Sequence, residues 1–85
     1  MGLVTYHVAL PFIRDEEDKL VPGIAKECPT AAIAVSTAKR LAAESAGAIA
    51  FSRTGDPAIG EFADAVVLEK FGEVLSLDDW LDANL

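Results

Sequence analysis

Few residues in this chain could carry chemistry. His7 is the only histidine and Cys28 the only cysteine. One histidine excludes a multi-histidine metal site, and no metal or other cofactor is expected. A thiolate–imidazole pair would need Cys28 and His7 on one face of the fold. Alternation along Leu3–Phe12 puts His7 on the outer face of a strand with Thr5, Ala9 and Pro11. Cys28 falls with Ile24 on the inner side of a second strand and reads as a small core residue. No serine sits in a nucleophile-elbow motif. Carboxylates are plentiful, but no two stand as an evident acid/base pair.

The stretch FSRTGDPAIGEFAD, from Phe51 to Asp64, is the other candidate. Gly55 and Gly60 have four residues between them, the glycine spacing of a phosphate-binding loop. Glu61 and Phe62 then replace the lysine and the hydroxyl residue that such a loop needs, and no helix follows to present its N-terminus to an anion. The alternating oxygen ligands of a calcium loop are also missing. As a turn the stretch makes local sense. Asp56-Pro57 starts it, Gly55 and Gly60 permit positive φ, and Arg53 can pair with Asp56 or Glu61. A loop over Thr54–Gly60 is nevertheless longer than a plain hairpin requires. Arg53, Thr54 and Asp56 bring a guanidinium, a hydroxyl and a carboxylate together in sequence. The alternative to a turn is therefore a site in which Arg53 binds a small carboxylate or phosphate.

These residues must be positioned by a few short elements. Leu3–Phe12 alternates with Tyr6, Val8, Leu10 and Phe12 on one face, the pattern of a half-buried strand. Pro11 lacks an N–H, so regular pairing should weaken there. RDEEDK follows as a polar turn, and Pro22–Cys28 reads as an edge strand. Thr30 is a good N-cap for a helix over TAAIAVSTAKRLAAESA. Its apolar face is Ala31, Ala34, Val35, Ala38, Leu41 and Ala42, with Ile33 on the opposite side, and Gly47 is read as its C-terminal stop. Gly47–Arg53 and Glu61–Phe71 are the last two strands, the second without clean alternation. Ser76 caps a short helix carrying Leu77, Trp80 and Leu81.

The reading is an α+β fold, β-β-α-β-β-α, filling residues 1–85 as a single domain. Its four-stranded antiparallel sheet has the order 2-1-3-4. The long helix covers the face of Tyr6, Val8, Leu10, Ile49 and Phe51. The small-residue face of Thr5, Ala9, Ala48, Ala50 and Ser52 is left to the Trp80 helix or to a second subunit.

Composition narrows the function. With 14 acidic against 7 basic residues and a net charge of −7, nucleic acid and anionic membranes are disfavoured partners. Asp15–Asp18 and the group Asp78, Asp79 and Asp82 read as solvated segments, or as docking patches for a basic partner. The opening MGLVTYHVALPF has no basic region before its apolar run and is too short to span a membrane. Met1-Gly2 opens like a myristoylation signal, but Tyr6 stands where Ser or Thr is needed. A lone cysteine fits a reducing compartment, and a cytoplasmic protein is expected. Hydrophobic residues make up 52% of the chain, more than so small a domain can readily hide, which points to self-association.

At TYHVALPF, ECP, AGAIAFSRTGDP, GEF and the final FG the chain resembles a family of short bacterial proteins of no assigned activity. That resemblance implies a compact α+β domain and carries over no functional residue. The expected function is a non-enzymatic association protein, a homodimer with Ile33 and Trp80 in its interface, or one that docks another protein. The alternative is an anion-binding protein or enzyme using Arg53, Thr54 and Asp56.

Overall fold

The computed structural model describes residues 2–75. The elements run β1 (Val4–Arg14), β2 (Leu20–Pro22), β3 (Lys26–Cys28), α1 (Ala31–Glu44), β4 (Gly47–Asp56), β5 (Glu61–Phe62) and β6 (Val66–Gly72). The fold is α+β, an antiparallel sheet with one helix among the described residues. The sheet has six strands along the path β2-β1-β4-β5, with β3 also on β1 and β6 also on β4. The expected four-stranded sheet in the order 2-1-3-4 is not what forms, because both outer strands are broken in two. The helix expected from Ser76, with Trp80, lies outside the described residues.

Pro11 explains the first break. The Gly23 N–H donates to the Pro11 carbonyl at 2.8 Å, so that carbonyl points towards the β2–β3 side. In an extended strand a residue's N–H and C=O point the same way. The donor that proline lacks is therefore missing from this side alone. Pairing stops at Phe12↔Pro22 and resumes at Ala9↔Lys26, with Gly23–Ala25 looped between. The other side of β1 is untouched, and its ladder with β4 runs unbroken from Val4↔Gly55 to Phe12↔Gly47. On the far side of β4 the register with β6 slips between Ala50 and Phe51, leaving Leu68 as the extra residue of a bulge. That bulge is why the last strand does not alternate.

The two faces of the sheet are assigned oppositely to expectation. The helix lies on the small-residue face, where Ala34 and Ala38 pack with Ala9, Ala48, Ala50 and Cys28. Val35, Leu41 and Ala42 of α1 and Leu68 and Phe71 of β6 border this layer. The large side chains Leu10, Phe12, Ile49 and Phe51 form a second cluster on the other face, against Val8, Leu20, Ala65, Val74 and Leu75. The physical reason is size. A helix whose inner face is alanine can approach a sheet only where the sheet also presents alanine, and close contact there yields the density of a normal interior.

Thr30 caps α1 as expected, its hydroxyl accepting from the Ile33 N–H at 3.1 Å. Gly47 does not stop the helix. Ser45 is the C-cap in an extended conformation, and Gly47 is the first residue of β4. Its missing side chain makes room for the backbone of Glu73. Asp15–Asp18 is the β1–β2 hairpin turn, with Asp18 at φ 61° and Asp15 Oδ1 accepting from the N–H groups of Glu17 and Lys19, each at 2.9 Å. Arg14 pairs with Glu73 and fastens the end of β1 to the chain beyond β6. Among the described residues no helix is long and apolar enough to cross a membrane.

Candidate functional site: the open end of the β1–β4 ladder

Beyond Ala9 and Ala50 the central ladder becomes polar on the helix side. His7 pairs with Ser52 and Thr5 with Thr54. His7 Nδ1 lies 2.7 Å from Ser52 Oγ, and the two threonine hydroxyls are 2.8 Å apart. Direct opposition across an antiparallel pair brings such side chains within bonding reach. On the other side of β1, His7 is in register with Cys28 of β3. The expectation that His7 and Cys28 lie on opposite faces is therefore wrong. It counted Cys28 from Ile24 along one continuous strand, and the break at Gly23–Ala25 removes that relation.

The row Cys28–His7–Ser52 spans three strands, yet it is not assembled as a nucleophilic site. The Cys28 thiol is buried and donates to the Lys26 carbonyl at 3.7 Å. No bond joins it to His7 among the described residues. His7 and Ser52 stand as a base beside a hydroxyl, but among the described residues no carboxylate bonds the imidazole to orient it. No group of three or more potential metal ligands occurs among the described residues.

The stretch FSRTGDPAIGEFAD is shorter as a loop than its sequence suggests. β4 continues through Thr54 to Asp56, and β5 begins at Glu61. The connection is Pro57–Gly60, an ordinary hairpin length. Asp56 orders it, with Oδ1 accepting from the Ala58 N–H at 2.9 Å and its carbonyl from the Ile59 N–H at 3.2 Å. Gly60 has φ 70°, as the turn demands. Gly55 does not. A side chain there would overlap the Phe62 ring and stand 2.5 Å from the Glu61 carbonyl oxygen, so Gly55 serves close approach. Ile59, at the tip, is exposed.

Arg53, Thr54 and Asp56 do not converge. Thr54 and Asp56 lie on the helix side, while Arg53 shares the opposite side with its cross-strand neighbour Tyr6. Arg53 pairs with neither Asp56 nor Glu61. Its Nε donates to the Ala63 carbonyl at 3.1 Å, and its guanidinium carbon stands 5.3 Å from the centre of the Phe62 ring. Phe62 in turn lies 6.1 Å from the Tyr6 ring. Neither aromatic residue was singled out from the sequence. Pairing Leu3–Phe12 with Gly47–Asp56 in register would have found both this cluster and the His7–Ser52 pair. Ile33 is 44% exposed on α1, and Trp80 lies outside the described residues.

The local geometry makes a stability prediction. Asp56→Ala is expected to cost about 0.5–2 kcal/mol, through the lost bond to the Ala58 N–H. Gly60→Ala should cost about 1 kcal/mol, from φ alone, because no atom lies within 4 Å of the added carbon. Urea melts of the two variants check this, and unchanged midpoints would remove the turn's structural role.

No family model, no curated protein and no solved structure matches this chain.

Proposed function

We propose that this is a non-enzymatic protein that acts by association, first with a second copy of itself. One observation carries the reading: the described residues leave nine large apolar side chains at 39–85% exposure, among them Ile24 at 85% and Val66 at 62%. Single exposed apolar residues are ordinary. Here Val66 and Val67 follow one another along one sheet edge, one on each face, with Ile24 beside the other edge and Ile33 on the helix. Backbone pairing between copies is not the mode this surface favours. The β6 edge carries a bulge and Lys70, and the β2–β3 edge is interrupted, two devices that discourage strand addition. Contact through side chains fits better, and Ile33 is the residue of the predicted interface that the described structure exposes.

Light scattering across a dilution series tests the reading. A dimer that dissociates on dilution is expected. Ile24→Asp, Ile33→Asp and Val66→Asp made singly should identify the surface: the interface variant lowers association and keeps the wild-type unfolding midpoint at dilutions where the wild type is itself monomeric, because each position is exposed. A wild-type protein that stays monomeric at the highest attainable concentration would overturn self-association.

A further inference from the structure

We propose that the C-terminal segment, residues 76–85, closes over the large-residue face of the sheet within its own chain and sets Trp80 against Leu10, Phe12 and Ile49. This goes beyond the association reading and does not depend on it.

The case begins with a face that is buried without a described layer over it. A sheet face of large apolar side chains leaves water by packing against a second layer. All the described strands belong to one sheet, and α1, the helix of the described residues, lies on the opposite side with Ala9, Ala48 and Ala50. Yet Phe12 and Ile49 are 0% exposed, Leu10 1% and Phe51 5%. Neighbours in the same sheet, such as Val8 and Leu20, shield these side chains from the flank but not from above. From outside the strands, the described residues bring Ala65, just before β6, and Val74 and Leu75, just after it. Three side chains at the two ends of one edge strand do not make a layer across β1 and β4.

The next residues of the chain have the composition of that layer. Leu75 packs on the cluster, and SLDDWLDANL follows it directly. Leu77, Trp80, Leu81 and Leu85 recur at helical spacing, with Asp78, Asp79 and Asp82 on the other arc. One side suits the sheet and the other suits water. The small-residue face, the other place such a segment could cover, is taken by α1. A helix of these ten residues would be about 15 Å long. β1, β4 and β6 together are about 10 Å wide, at about 4.8 Å between neighbours. The segment is therefore long enough to span the face. It also starts at that face, with no linker to cross, so its effective concentration there exceeds that of a second copy in dilute solution. That selects the chain's own segment over a partner's. Trp80 is thereby assigned to the interior of the protomer, and Ile33 on α1 is left for contact between copies.

Trp80 is the only tryptophan, so its fluorescence reports on the segment in the full chain. The native protein is expected to emit to the blue of the urea-unfolded chain, with acrylamide quenching reduced several-fold. Both properties should hold across a dilution series. In a methyl-labelled sample the Trp80 indole should show NOEs to Leu10 and Ile49 methyl groups. In an equal mixture of labelled and unlabelled chains, filtered for contacts between copies, those NOEs should vanish. L81D should raise quenching of Trp80 and lower the thermal midpoint, while D82N leaves both as in wild type. Native quenching equal to that in urea overturns the proposal, as does an unchanged Trp80 signal in L81D. NOEs seen only between copies overturn it too, because a partner's segment then covers the face. If L81D fails to fold, the NOEs of the wild-type protein decide. A monomer at every concentration with Trp80 shielded would remove self-association and leave this proposal standing.

Discussion

Phe12→Ala is expected to destabilise the protein by about 3–5 kcal/mol, the cost of deleting a large buried ring and leaving a cavity behind. Phe12 is fully buried, as are Leu10 and Ile49 beside it. The cluster draws on two adjacent strands, since Leu10 pairs with Ile49 and Val8 with Phe51 across the central ladder. The space cannot collapse easily, because the backbone around Phe12 is tied on one side to Gly47 and on the other to Pro22. A domain of this size has total stability on the order of 4–13 kcal/mol. At the lower end of that range the variant would be close to unfolded at room temperature. In urea its midpoint should fall sharply, with little change in slope if unfolding stays two-state. A loss below about 1 kcal/mol would mean that the large-residue face is not a packed core.

Gly47→Ala should be nearly as damaging for a different reason. The added carbon would overlap the Glu73 carbonyl oxygen and stand 2.5 Å from the Glu73 nitrogen. These are backbone atoms. They are held by the Glu73 N–H bond to the Ala46 carbonyl at 3.0 Å and by the pairing of Gly47 with Gly72. A side chain can swing away from such a clash, but a paired backbone cannot. The expected cost is at the upper end of the range for overpacking, about 3 kcal/mol. That corresponds to a fall in Tm of about 12–24 °C. A calorimetric scan checks it, with Gly60→Ala as the reference for a glycine that has open space around it. Were Gly47 merely a helix stop, as its sequence position suggests, the two variants would melt alike.

Much of the architecture could be read from local patterns. The strand around Tyr6–Phe12 and the Thr30 cap depend only on near neighbours, and both appear where the sequence puts them, although Ala9–Phe12 is buried on both faces and not half-buried as the alternation suggests. Face assignment does not have that property. Alternation divides a strand into two faces but does not say which one a helix will cover. Matching the alanine side of α1 to Ala9, Ala48 and Ala50 needs a volume argument between distant segments. The Cys28 error arose similarly, because a single interrupted strand changes every face assignment beyond the break. At the hairpin, polarity misled. Thr54 and Asp56 look like loop residues, yet Thr54 pairs with Thr5 and Asp56 with Glu61. Arg53 was recognised as a candidate, but its aromatic neighbours lie on other strands and only the register reveals them.

The unbroken β1–β4 ladder also sets the order in which the chain can be assembled. β1 is complete once Arg14 has been made, but its main partner begins only at Gly47. Throughout the synthesis between those points Leu10 and Phe12 exist without Ile49 or Phe51, and β1 can pair only with β2 and β3, each three residues long. The segments made in that interval include local contacts that need no later residue: the Asp15 turn, which closes on its own side chain, and the Thr30 cap of α1. An emerging chain thus carries the apolar Leu10 and Phe12 of β1 without their main partners while these local contacts form. It seals that strand only when β4 arrives.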